Sequence, residues 1–280
     1  MTNLKTLKKD FLKELSALYG KDESSTLFSW LAEEFLGLKT YDFLTKSELN
    51  FESEQLENYF HAVSRLKRGE PIQYILGYTE FFGLKLKVNP NVLIPRPETE
   101  ELVQWILEDY KDSAQPISII DLGTGSGCLP ITLAKNMPHA NLKALDVSKK
   151  ALELATINSE KNNVVIECIE QDLLKLNQLP HVDVVVSNPP YVRSSEKSKM
   201  KENVLNHEPH LALFVESEDP LLFYRKIADL VASAKEQPKV YLEVSQYLAQ
   251  DTQQLFQDYG FKHVELRKDF RGNQRMLKVY

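Results

Sequence analysis

Apolar residues recur at i, i+3 and i+4 over Leu4 to Tyr19, Ser25 to Phe35 and Ser53 to Arg68, with Gly20, Gly37 and Asn50 between them. This spacing predicts three amphipathic helices in a small N-terminal bundle, with short helical turns around Tyr41 to Leu49. From Pro71 the pattern changes. Aromatic and β-branched residues cluster around Gly77 and Gly83, followed by the alternating Leu84, Leu86 and Val88. A hairpin is expected there, linking the bundle to the remainder of the chain. After Ile94-Pro95-Arg96-Pro97, Glu98 to Leu107 reads as a helix with acidic residues in its first turn, where the helix dipole favours them.

Beyond this helix the chain alternates short β-branched runs with helical stretches, the pattern of a mainly parallel sheet covered by helices. Strands are expected at Ile117 to Leu122, Leu142 to Asp146, Val164 to Ile169, Val184 to Val186 and Val240 to Val244, with closing strands at Phe261 to Arg267 and Arg275 to Tyr280. Helices are expected at Leu129 to Asn136, Leu221 to Ala234 and Tyr247 to Tyr259. The domain plan is therefore 1–70 helical, 71–95 a hairpin linker and 96–280 an α/β domain of Rossmann-like type with seven strands.

Three strand ends carry candidate chemistry. The first strand runs into Gly123-Thr124-Gly125-Ser126-Gly127, whose glycines permit positive-φ turns and close backbone approach, so a ligand can lie against the loop at the helix start. The second ends at Asp146, where a carboxylate can accept both hydroxyls of a ribose. The third ends at Gln171-Asp172-Leu173, placing Asp172 to take an adenine amine and Leu173 against the ring. A nicotinamide dinucleotide and S-adenosylmethionine both satisfy these positions.

The fourth strand ends in Asn188-Pro189-Pro190-Tyr191, at the sheet edge where open α/β folds bind ligands. The prolines remove two backbone donors, leaving the Asn188 and Pro189 carbonyls free beside the Asn188 side-chain oxygen. Such acceptors suit an uncharged amino group, with Tyr191 packing on the plane that carries it. This arrangement has no place in hydride transfer and suits methyl transfer to nitrogen.

Composition narrows the setting. Of the 280 residues, 42% are hydrophobic and 26% charged, which speaks for a folded globular chain. The net charge is −6, and residues 1–70 hold 10 Lys and Arg against 12 Asp and Glu, so neither the chain nor its helical part is a basic arm for nucleic acid. A protein partner fits better. Cys128 and Cys168 are the two cysteines and lack C-x-x-C spacing, so buried thiols in a reducing compartment are expected, with no metal site. The first twenty residues alternate lysines with leucines and lack a signal peptide's apolar core, and no run approaches membrane-spanning length, which predicts a cytoplasmic protein.

Less is readable elsewhere. Arg96 and Glu98 either line the site or hold their segment against the sheet. The Val192 to His207 loop, with Arg193, Lys197, Lys199 and Lys201, reads as a lid or substrate contact, or else a solvated charge run. Glu243 stands at the fifth strand end without an evident role.

Together, D-L-G-T-G-S-G, Asp146, N-P-P-Y, I-P-R-P-E-T-E-E-L and H-E-P-H-L-A-L-F resemble the HemK/PrmC family across almost the whole chain. The resemblance implies a class I S-adenosylmethionine-dependent methyltransferase that modifies the side-chain amide (N5) of the glutamine in the Gly-Gly-Gln motif of peptide-chain release factors. Two features depart from that pattern. Leu173 stands where many relatives carry an aromatic residue, and Phe214 to Pro220 lacks the usual glycine-containing turn. The alternatives are a nucleic-acid adenine N6-methyltransferase, a glutamine methyltransferase of a ribosomal protein and, more distantly, a non-enzymatic adenine-nucleotide binder.

Overall fold

A computed structural model of the chain describes residues 2–113, 115–193, 202–215 and 219–280. The chain divides into two compact units. One comprises the residues up to Gly77 together with the short helix Glu202–His207, and the other takes the rest from Tyr78 onward.

In the first unit, helix α1 (Leu4–Tyr19) starts where the Asn3 side chain accepts the Thr6 N–H at 2.8 Å, and it buries Leu4, Leu7, Phe11 and Leu15 along one stripe. Gly20 at φ +78° ends it. Helix α2 (Lys21–Leu36) follows at once, four residues earlier than its apolar pattern begins, and closes on Gly37 in the left-handed region. Helix α3 (Glu57–Lys67) is preceded by a single 3-10 turn, Glu54–Leu56. Phe11, Phe28 and Tyr59 form the aromatic centre, the first two 5.4 Å apart between ring centroids. Tyr19 donates its hydroxyl to the Leu66 carbonyl at 2.7 Å, tying α1 to α3. Ile72–Leu76 forms one more short helix, α4, ended by Gly77 at φ +79°.

The second unit opens with the hairpin of β1 (Tyr78–Phe81) and β2 (Leu84–Lys87). Phe82 and Gly83 both have positive φ, the twist of a two-residue hairpin turn, and the Glu100 carboxylate accepts the Phe82 N–H at 2.8 Å. Helix α5 (Pro97–Tyr110) follows, with Pro97 in its first turn.

The main sheet then alternates with helices: β3 (Ile117–Leu122), α6 (Cys128–Asn136), β4 (Ala140–Asp146), α7 (Lys149–Lys161), β5 (Glu167–Glu170), β6 (Val184–Ser187), α8 (Leu222–Ala232), β7 (Lys239–Glu243), α9 (Ala249–Asp258), β8 (Val264–Lys268) and β9 (Gln274–Val279). The spatial order is β8-β9-β7-β6-β3-β4-β5, in which β9 runs antiparallel to both neighbours and every other pairing is parallel. It is a seven-stranded, mainly parallel sheet of the Rossmann-like type expected from the alternation of strands and helices. Side chains alternate between two cores. Ile119, Val184, Val186 and Tyr241 face Leu102, Ile106 and Ile131, whereas Ile120, Leu122 and Val185 face Tyr224, Ile227 and Phe256.

Several expectations change in detail. The edge strand β5 begins at Glu167 rather than Val164, because Lys143 of β4 supplies its first partner at Glu167; Val165 is exposed. Two stretches of the Val192 to His207 loop fall among the described residues. Val192–Arg193 pairs in parallel with Phe214–Val215, and Glu202–His207 is helical. Lys197, Lys199 and Lys201 lie outside the described residues, as does the middle of the Phe214 to Pro220 segment. Both cysteines are partly buried residues, and the Cys128 thiol is enclosed as expected, its burial pushing it up to about 12. No helix among the described residues is long and apolar enough to cross a membrane.

Candidate active site

The carboxyl ends of β3, β4, β6 and β7 meet around the reversal in strand order, where chain turning one way from β3 leaves a crevice beside chain turning the other. A cavity of about 400 Å³ opens there. Its walls include Gly123 to Ser126, Asp146, Asp172 and Leu173 on one side and Thr99, Asn188, Pro189 and Pro190 on the other.

The glycine loop is held mainly from behind. Leu145 O accepts the Gly123 and Thr124 N–H groups at 2.8 and 3.0 Å, Asp146 Oδ2 accepts the Gly125 N–H at 2.8 Å, and Thr124 O accepts the Gly127 N–H at 2.9 Å. These amides are spent inside the fold, so the loop's contribution to a ligand is close approach rather than a fan of free N–H donors. Gly127, which is not among the cavity-lining residues, is required by packing: at φ +80°, a Cβ there would lie 2.8 Å from Ile131 Cδ1 and 3.0 Å from Ala155 Cβ. Buried Asn158 braces the same loop. Its amide donates to Ser126 O at 2.9 Å and to Lys87 O at 3.0 Å and accepts the Lys87 N–H at 2.6 Å, joining β2 to the loop.

Asp146 Oδ1 accepts the Ser148 N–H at 2.8 Å, so each carboxylate oxygen holds one backbone donor and keeps further acceptor capacity. Burial raises its pKa. Asp172 caps the next turn by accepting the Leu174 N–H at 2.9 Å, and it pairs with Lys175 at 3.3 Å. Leu173 is buried and contributes an aliphatic wall. Beneath the loop, burial pushes Asp121 up to about 7, against the lowering effect of the neighbouring Thr124 hydroxyl.

On the opposite wall, β6 is locked to β3 by the Ser187 hydroxyl, which donates to Leu122 O at 2.5 Å. Asn188 then gives its Nδ2 to Thr99 Oγ1 at 3.3 Å, and Thr99 Oγ1 donates to Glu243 Oε2 at 2.6 Å. Tyr191 is half-buried and is not among the cavity-lining residues; its hydroxyl donates to Glu243 Oε1 at 3.3 Å, and burial raises its pKa. Arg96 lines the cavity and pairs with the buried Glu208 at 2.5 Å, while Glu208 Oε2 also accepts the Ile94 N–H at 3.2 Å. Glu98 lies 3.8 Å from Arg271. Among the described residues no cluster of His, Cys, Asp or Glu has the makings of a metal site.

The cavity thus brings together the loop, Asp146, Asp172, Leu173 and Asn188 to Pro190. Thr99, Asn158 and Glu208 were not singled out from the sequence. Thr99 sat within the P-E-T-E run, but nothing local shows that its partner is Glu243.

Residues 9–77 match the PrmC N-terminal domain, and residues 100–211 match the methyltransferase small domain. A release factor glutamine methyltransferase of Flavobacterium psychrophilum is 46% identical over 99% of this chain and 98% of its own. Another, of Bacteroides thetaiotaomicron, is 38% identical over 95% of each. The solved hMettl16 catalytic domain in complex with MAT2A 3'UTR hairpin 6 superposes with a TM-score of 0.57, covering 89% of this chain and 90% of that one; at 18% identity it shows the fold alone. On its full-length identity with these relatives, the chain belongs to the release factor glutamine methyltransferase family.

Proposed function

We propose that the chain transfers a methyl group from S-adenosylmethionine to the side-chain amide nitrogen, N5, of the glutamine in the Gly-Gly-Gln motif of peptide-chain release factors. The observation that carries this reading is a single cavity lined both by the glycine loop with Asp146 and Asp172 and by Asn188, Pro189 and Pro190. Nucleoside chemistry and an acceptor for an amino group face the same space.

The residues present fit such a cofactor. Asp146 keeps acceptor capacity for ribose hydroxyls, Asp172 stands where an adenine amine can donate, and Leu173 supplies an apolar wall. When bound, S-adenosylmethionine supplies a methyl carbon activated by the positive sulfur. The protein's part is positional. An amide nitrogen is scarcely basic, so Asn188 Oδ1 and the Pro189 carbonyl hold its hydrogens and orient its lone pair, favouring the positive charge that develops as the new N–C bond forms. The nitrogen then loses one of its two protons. Tyr191, expected to pack on the amide plane, instead stands outside the cavity lining with its hydroxyl on Glu243, and the helical unit of residues 1–70 docks the folded substrate.

The acidic balance of −6 supports a protein acceptor over a polyanion. A translation-termination substrate also places the activity in the cytoplasm. Incubation with labelled S-adenosylmethionine and, in parallel, release factor, ribosomal proteins, ribosomal RNA and DNA tests the assignment. Label is expected on release factor alone; label on adenine with none on release factor contradicts it.

A further inference from the structure

Asn188 is useful to an amino group only if it presents oxygen rather than nitrogen to the cavity. A free Asn amide has no intrinsic preference, since rotation by half a turn exchanges its two ends. The surroundings must choose.

The choice can be followed through three side chains. Glu243, 2% exposed at the end of β7, has an acceptor-only carboxylate when ionised. Both its oxygens are taken by hydroxyls: Oε1 by Tyr191 and Oε2 by Thr99, the latter at 2.6 Å. Thr99, equally enclosed in the first turn of α5, owns one hydroxyl hydrogen and spends it on Glu243. Its oxygen can then only accept, and it accepts from Asn188 Nδ2 at 3.3 Å. Asn188 Oδ1 is left for the cavity.

We infer that Glu243 and Thr99 are positioning residues that fix the hydrogen-bond polarity of the acceptor slot, so that Asn188 offers an oxygen and the slot selects a substrate nitrogen bearing hydrogens. This rests on the proposed role of Asn188 and adds that the role is imposed from the buried end of β7. With the polarity reversed, Asn188 Nδ2 would face the substrate amino group donor to donor, and the slot would suit a carbonyl or carboxylate instead. Burial raises the Glu243 pKa, while the Thr99 and Tyr191 hydroxyls and the Arg275 charge act the other way.

The test uses near-isosteric changes in the full chain. Glu243→Gln introduces a donor that can reverse the chain, Thr99→Val deletes the hydroxyl, and Thr99→Ser keeps it. Glu243→Gln and Thr99→Val are each expected to lower kcat on release factor by roughly tenfold or more, with the Kd for S-adenosylmethionine changed less than about twofold. Thr99→Ser is expected to stay within about threefold of wild type, and the Glu243→Gln/Thr99→Val double variant to lose no more than about twofold beyond the worse single variant, because both cut one chain.

Multiplicative losses in the double variant, a Thr99→Ser as impaired as Thr99→Val, or a cofactor affinity falling in step with kcat would overturn the inference. Should Glu243→Gln fail to fold, the Thr99→Ser and Thr99→Val pair still decides, by near-wild-type kcat in the first and loss in the second. Wild-type protein inactive on release factor sinks the functional proposal itself, whereas active wild type with unaffected relay variants sinks only this inference.

Discussion

Asp146 Oδ2 accepts the Gly125 N–H at 2.8 Å, so the carboxylate at the end of β4 also shapes the glycine loop after β3. Under the proposed function this one residue serves the cofactor side twice, as an acceptor for hydroxyls and as a brace. Asp146→Ala is expected to weaken S-adenosylmethionine binding by more than tenfold, about 1.4 kcal/mol, measured by calorimetry. Asn188→Ala is expected to abolish methyl transfer while keeping cofactor affinity within roughly tenfold. Equal binding losses in the two variants would show that the cavity is not divided this way.

Asp121 gives a pH signature. Its carboxyl is enclosed at the end of β3 beside the Thr124 hydroxyl, and burial pushes it up to about 7, against about 3.9 in an unfolded chain. Between those values the folded protein holds a proton that the unfolded chain has released, so stability falls as pH rises through that window. Asparagine at this position does not titrate. In denaturant unfolding without added ligand, Asp121→Asn is expected to gain on wild type by about 2.5 kcal/mol between roughly pH 5 and pH 8. Parallel stability curves would mean that Asp121 is not held protonated.

The helical unit has its own core around Phe11, Phe28 and Tyr59, yet leaves Trp30 and Phe60 exposed at 44% and 52%. If this unit supplies docking energy, those rings are its anchors. Replacing both with alanine is expected to raise KM for intact release factor at least about fivefold, with kcat and cofactor affinity unchanged. Unchanged KM would reduce this face to ordinary surface.

How far the sequence could be read depends on how local each feature is. Helix α1 keeps its expected bounds because its four buried residues and its Asn3 cap all lie within one segment. The loop after β3 and the N-P-P-Y turn were legible for the same reason, since strand, turn residues and chemistry are contiguous. The start of β5 was not, because only the partner strand decides where an edge strand begins. The Thr99 to Glu243 contact spans 144 residues, and Asn158 reaches 71 residues back to Lys87. No periodicity reports such meetings; they exist only once the sheet has brought β2, α5, α7 and β7 to one place.

The central claim is that the amide nitrogen of one glutamine is the methyl acceptor. Its most direct test is mass spectrometry of the folded release factor after turnover with S-adenosylmethionine, with fragmentation to locate the modification. The account predicts one methyl on the side-chain nitrogen of the Gly-Gly-Gln glutamine, none when that glutamine is replaced by alanine, and much slower reaction of a short peptide around the motif, which lacks the docking surface. A methyl group on any other residue, or retained in the alanine-substituted factor, would contradict it.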